Sequence, residues 1–260
     1  MKRRALTFDC KGETCAATLD SACGTTGLLI VSGGNEIRAG AFNGQARLAA
    51  EIASAGYPVF RFDRRGVGDS SGANAGFRSS LPDIAAALQA FRKEVPHIET
   101  IVGFGNCDAA SALMCGAAEL GFDALILSNP WTIDEREANA LPPSGVRARY
   151  LEKLKNPREI GRLLRGRVNI RKLASGLVNA TGKDRTTSSL AGDMERGLAA
   201  FDRPVRIFLA ENDRTAKVFA QRWDPQDPRL FRCQSAGHAY VEPHARAWLR
   251  EQILAGLANA

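Results

Sequence analysis

The chain predicts an α/β protein built on one mainly parallel sheet of eight strands with helices on both faces. Two observations carry this. Short apolar runs alternate along the chain with segments whose apolar residues recur at helical spacing. Most of the runs are continuously apolar, as expected of strands covered on both faces. With 260 residues and 45% hydrophobic content, the chain is long enough for a large core. That length permits two domains and requires only one.

Strands are expected near 4–9, 14–19, 26–32, 57–62, 99–104, 124–128, 205–210 and 229–233, and helices near 44–55, 81–94, 108–120, 215–222 and 242–256. The first two runs flank Lys11-Gly12 and read as an antiparallel edge hairpin. The run at 26–32 ends in Ser32-Gly33-Gly34-Asn35, where glycines let backbone N–H groups approach a ligand closely, as in half of an oxyanion hole. The run ending at Phe62 is closed by Asp63-Arg64-Arg65-Gly66-Val67-Gly68-Asp69-Ser70. The run at 205–210 ends in Glu211-Asn212-Asp213, and the last run leads through Gly237 into His238.

The most informative stretch is Gly103 to Ser111, which sets Cys107 on a strand-to-helix turn walled by small residues. A residue that opens a helix faces unpaired N–H groups and the positive end of the helix dipole, which favour a thiolate. Gly105 and Ala109, two residues to either side, leave room for a sharp turn. The chain order is therefore nucleophile, acid, histidine. A scan for G-x-S-x-G would instead mark Ser70, within Gly68-Asp69-Ser70-Ser71-Gly72. Ser70 lacks the strand before and the helix after that such an elbow requires, so a local hydrogen-bonding role with Asp63, Arg65 and Asp69 is expected.

Together these segments resemble an α/β-hydrolase in which a Cys-His-Asp triad replaces the serine form, as in dienelactone hydrolase. The combination of Ser-Gly-Gly-Asn, Asp-x-Arg-Gly-x-Gly-Asp-Ser and Cys-Asp-Ala-Ala-Ser-Ala is similar to the exosortase A system-associated hydrolases (hydrolase 1 type) found with exopolysaccharide loci. The resemblance implies Cys107 as nucleophile, His238 as general base and then acid, and Asp213 as orienter of the imidazole. Glu211 competes for the acid role, and the family register, three residues beyond Ala210, favours Asp213. The backbone N–H of Asp108 and one from Gly34 or Asn35 would hold the oxyanion. The Asp108 side chain stays open between two readings, complementing the helix start or facing the substrate.

The implied activity is hydrolysis of acyl thioesters or activated esters through an acyl-cysteine, because a thiol leaving group is poorly suited to expelling an amine. The same triad would serve an acyltransferase with an alcohol or sugar acceptor, and a non-catalytic binding protein could keep the fold.

Residues 131–200 contain no evident sheet strand and are expected to be a helical cap inserted between core segments 1–130 and 201–260. From Arg147 to Leu173, ten Lys or Arg face two acids, while the whole chain carries a formal +7. The rest is thus nearly neutral. The basic stretch is either a solvated helical face or an attractor for an acidic partner, such as coenzyme A phosphates, an acyl carrier protein or an anionic polysaccharide. Nucleic acid is not expected, since no recognised binding motif accompanies the charge.

The six cysteines come with no apolar leader, and a reducing, cytoplasmic setting is expected. No transmembrane span, metal site or cofactor is expected, and oligomeric state is open.

Overall fold

A computed structural model describes residues 2–133 and 189–260. The expected basic cap falls largely on residues 134–188, which lie outside the described residues. Residues 1–132 and 191–260 form one compact unit.

Eight strands make one sheet: β1 (Lys2–Cys10), β2 (Glu13–Ser21), β3 (Thr26–Val31), β4 (Val59–Phe62), β5 (Thr100–Asn106), β6 (Ala124–Ser128), β7 (Val205–Ala210) and β8 (Leu230–Cys233). Their spatial order is β1-β2-β4-β3-β5-β6-β7-β8. β1 pairs antiparallel with β2 and β2 with β4, and every other pairing is parallel. The β1–β2 turn uses Lys11 (φ 54°) and Gly12 (φ 81°), both left-handed, as a two-residue hairpin requires. β4 and β3 exchange sequence order, so β3 lies between β4 and β5.

Helices α1 (Gly44–Ser54) and α7 (Pro243–Ala258) supply Leu48, Ile52, Leu249 and Ile253 to one core face, against Leu28, Ile30, Val102, Phe104 and Ile126. The opposite face includes α2 (Leu81–Glu94), whose Phe91 stacks on Phe60 of β4 at 5.3 Å between ring centroids. Covering both faces explains why Leu28 to Val31 are all buried, each such aliphatic side chain contributing about 1.5–3 kcal/mol.

One expected helix differs. Instead of running from 108 to 120, α3 (Asp108–Cys115) stops and a single turn, α4 (Ala117–Leu120), follows. Gly116, with φ −97° and ψ 10°, leaves helical geometry there, at a residue that costs about 1 kcal/mol in a helix interior. Helix α5 (Ser189–Ala199) lies in the stretch expected to be cap, and its residues from Ala191 onward belong to the compact unit, with Met194 and Leu198 buried. Helix α6 (Arg214–Arg222) follows β7.

Candidate active site

The site forms at the C-terminal ends of the parallel strands, where β5, β7 and β8 deliver Cys107, Asp213 and His238. Cys107 sits between β5 and α3 with φ 61° and ψ −127°, a conformation costing a non-glycine residue about 1–3 kcal/mol. Neighbouring backbone holds it there. Its N–H donates to the Ser128 carbonyl at 2.9 Å, and its carbonyl accepts from the Ser111 and Trp131 N–H groups at 3.3 Å. The turn is so tight that a Cβ on Gly105 would lie 2.8 Å from the Ala109 carbonyl carbon and the Ala110 nitrogen. The first turn of α3 has no side-chain cap, which leaves the Asp108 N–H open to an anion.

Asp213 ends the β7 turn as the N-cap of α6, its Oδ2 accepting from the Ala216 N–H at 3.0 Å. The same oxygen lies 2.9 Å from His238 Nδ1. With Nδ1 turned to Asp213, Nε2 is the nitrogen left for the Cys107 thiol. The hydrogen bond to Asp213 first, and the nearby Cys107 side chain second, raise the His238 pKa to about 10 against the opposing effect of burial. Burial pushes Asp213 upward, but the His238 and Ala216 hydrogen bonds outweigh it and hold the carboxyl below its ordinary value. At neutral pH the pair is therefore imidazolium and carboxylate. Glu211 is exposed.

The Ser32–Asn35 loop packs directly over the start of α3. A Cβ on Gly33 would lie 2.5 Å from the Asn106 carbonyl oxygen and 2.9 Å from Asp108 Oδ1. Of the expected oxyanion donors, the Gly34 N–H is already engaged, donating to Asp108 Oδ1 at 2.6 Å. The Asp108 side chain thus faces the Ser32–Asn35 loop. The N–H groups of Asp108 and Asn35 have no acceptor among the described residues.

Ser70 is 9% exposed and stitched to backbone: its Oγ donates to the Asp63 carbonyl at 2.7 Å and accepts from the Ala16 N–H at 2.9 Å. Asp63 in turn accepts from the N–H groups of Arg38 and Asp69, at 2.5 and 3.1 Å. Arg65 pairs with Asp83.

Three contributors escaped the sequence reading. Asn129, fully buried with φ 43°, accepts from the Ala210 N–H at 2.8 Å and donates to Asn106 Oδ1 at 3.1 Å and the His238 carbonyl at 3.3 Å. One amide thereby ties together the chain ends that carry Cys107, Asp213 and His238. Its only sequence signal was its place at a strand end before Pro130. The Tyr240 hydroxyl meets Ser128 Oγ at 2.9 Å and anchors the loop that follows His238. Glu36 lies within electrostatic reach of His238 and Asp108, and burial raises its pKa.

A family model described as the alpha/beta hydrolase family matches residues 28–252. The chain belongs to the alpha/beta hydrolase family. Among solved structures it is similar to Est1E from Butyrivibrio proteoclasticus, determined with ferulic acid bound, at 15% identity over 98% of this chain and 100% of that one, TM-score 0.62. It is also similar to the Pyrococcus furiosus esterase Pf2001, at 15% identity over 99% and 91%, TM-score 0.63. A third is the proline iminopeptidase of Mycobacterium smegmatis, at 14% identity over 98% and 99%, TM-score 0.63. At such identities the likeness concerns the fold of this hydrolase alone. No curated protein matches it in sequence. Among the described residues no helix is long and apolar enough to cross a membrane, and no group of three or more His, Cys, Asp or Glu could hold a metal ion.

Proposed function

We propose that this alpha/beta hydrolase cleaves acyl thioesters or activated esters through a covalent acyl-cysteine on Cys107. The observation that carries the reading is the His238–Asp213 pair, 2.9 Å between Nδ1 and Oδ2, beside a cysteine held in the strained conformation of a nucleophile at an elbow. With its proton passed to His238, Sγ of Cys107 attacks the carbonyl carbon, and the carbonyl oxygen takes up negative charge against the Asp108 N–H and a donor of the Ser32–Asn35 loop. As the tetrahedral intermediate collapses, the bond to the leaving thiol or alcohol breaks and His238 gives that group its proton. A water then attacks the acyl-cysteine and passes a proton back to His238. The carbon–sulfur bond breaks and the carboxylic acid leaves. A resting imidazolium suits this sequence, because the proton needed by the leaving group already sits on His238.

The nearer resemblance, to exosortase A system-associated hydrolases, is supported by the three motifs around Gly34, Gly66 and Cys107. A carrier-protein or coenzyme A thioester as substrate is supported by the basic stretch from Arg147 to Leu173. The test is intact-mass detection of an acyl adduct after mixing the protein with a panel of acyl thioesters and aryl esters, with peptide mapping to Cys107. Cys107→Ala is expected to abolish both adduct and turnover while retaining the wild-type melting profile. Undiminished hydrolysis of the panel by that variant would overturn the proposal.

A further inference from the structure

Four arginines crowd the region between the Ser32–Asn35 loop and β4, and three of them are matched by carboxylates. Arg61 pairs with Asp20, Arg65 with Asp83, and Arg38 with Asp63 and Asp69. Arg64 is different. It is 4% exposed, its Nη2 donates to the Gly34 carbonyl, and its Nε and Nη1 have no hydrogen-bond partner among the described residues. A buried guanidinium without a counter-charge is costly, and such groups concentrate where they serve a function.

The contact that Arg64 does make bears on the cleft. Gly34 is held at both ends, its N–H by the Asp108 carboxylate at 2.6 Å and its carbonyl by Arg64. The chain contains no cis peptide among the described residues, so the carbonyl of Gly34 and the N–H of Asn35 point in opposite directions across one planar unit. Drawing that carbonyl inward onto a buried side chain turns the Asn35 N–H outward, to the exposed face of the loop, where it has no acceptor among the described residues. The Asn35 side chain is fixed as well, by the Asn74 amide that donates to its Oδ1 at 2.7 Å.

We propose that Arg64 is a positioning residue for the oxyanion loop: it sets the direction of the Gly34–Asn35 peptide and so presents the Asn35 N–H to the oxyanion. The positive charge beneath the loop acts in the same sense, since it polarises the peptide whose N–H faces a developing anion. This rests on the acyl-cysteine reading and adds to it which loop donor works and what orients it.

The test compares two reactions of Cys107. Acyl transfer from p-nitrophenyl acetate passes through an oxyanion. Alkylation by iodoacetamide is a displacement at carbon that forms none, so it needs the thiol and His238 but not the loop. Arg64→Met keeps the length of the side chain and removes charge and donors. It is expected to lower kcat for the ester about 100-fold, with KM within threefold of wild type, while mapped alkylation of Cys107 stays within twofold. Arg64→Lys, which restores a charge and a donor, is expected to lose only about tenfold in kcat, again with normal alkylation. Ester turnover by Arg64→Met within threefold of wild type, or a parallel fall in alkylation, would overturn the assignment. Should Arg64→Met not fold, Arg64→Lys decides by the same criteria, wild-type turnover or parallel loss counting against it. Failure of the acyl-cysteine reading itself registers separately, as turnover that survives Cys107→Ala.

Discussion

Replacing Asp213 by Asn isolates one charge at the centre of the site. Asp213 Oδ2 serves two partners, His238 Nδ1 at 2.9 Å and the Ala216 N–H at 3.0 Å. Asparagine is as good an N-cap as aspartate, so the start of α6 is expected to hold and stability to change by no more than about 1 kcal/mol. His238 should respond much more. Its pKa of about 10 owes most to Asp213, so losing the carboxylate should bring it down towards the ordinary value of 6.5. An imidazole almost wholly protonated at pH 7.5 would become mainly neutral. An amide can also turn its NH2 towards Nδ1 and enforce the wrong tautomer, which in a triad lowers rates by about 10⁴-fold, equivalent to about 5 kcal/mol of transition-state stabilisation. With three histidines in the chain, the His238 ring resonance can be followed by NMR from pH 5 to 11, beside kcat/KM for an activated ester. Asp213→Ala provides the control, since it also removes the cap and should melt about 2–4 °C below the Asn variant. An unshifted His238 titration together with wild-type kcat/KM in Asp213→Asn would refute the pairing as the source of imidazole basicity.

The remaining expectations concern stability, geometry and the serine that a motif scan prefers. Because the folded His238 pKa lies above the unfolded value near 6.5, its contribution to stability is complete below about pH 6.5 and disappears as pH rises towards 10. At a side chain 37% exposed, solvent screening limits that contribution to about 1 kcal/mol or less. Urea unfolding at pH 6, 8 and 10 should show this loss in the wild type and not in His238→Gln; equal slopes would contradict it. Ser70→Ala strands the Ala16 N–H and the Asp63 carbonyl, so a loss of about 1–3 kcal/mol is expected with kcat within threefold of wild type. Abolished turnover at full stability would instead make Ser70 catalytic. Gly105→Ala drives a Cβ to 2.8 Å from backbone at Ala109 and Ala110, which cannot rotate away, so both the melting temperature and kcat should fall, at about 1–3 kcal/mol of strain. Unchanged calorimetry and turnover would show that the elbow is looser than this.

Much of the architecture could be read from the chain because strand and helix periodicity, hairpin chemistry and the strand-to-helix turn are local properties. The eight apolar runs correspond to β1–β8 within a few residues, and Lys11-Gly12 forms its turn for reasons contained in those two residues. The break at Gly116 was not legible, since the Ala-rich pattern runs on across it. Nor was the order of strands, in which β4 lies between β2 and β3, because pairing partners are chosen by burial across the whole sheet.

The sequence by itself determined the class of fold, the turn at Cys107 and the segments able to supply an acid and a histidine. Only the folded chain decided that the Asp108 carboxylate lies on the Gly34 N–H, that Asn129 joins the ends of three segments, and that Arg64 is buried on the Gly34 carbonyl with two donors unmatched. These contacts span 23 to 109 residues of chain, and side chains so far apart carry no periodic signal of one another. Their geometry is set by how the sheet twists and packs, a property of the assembled whole.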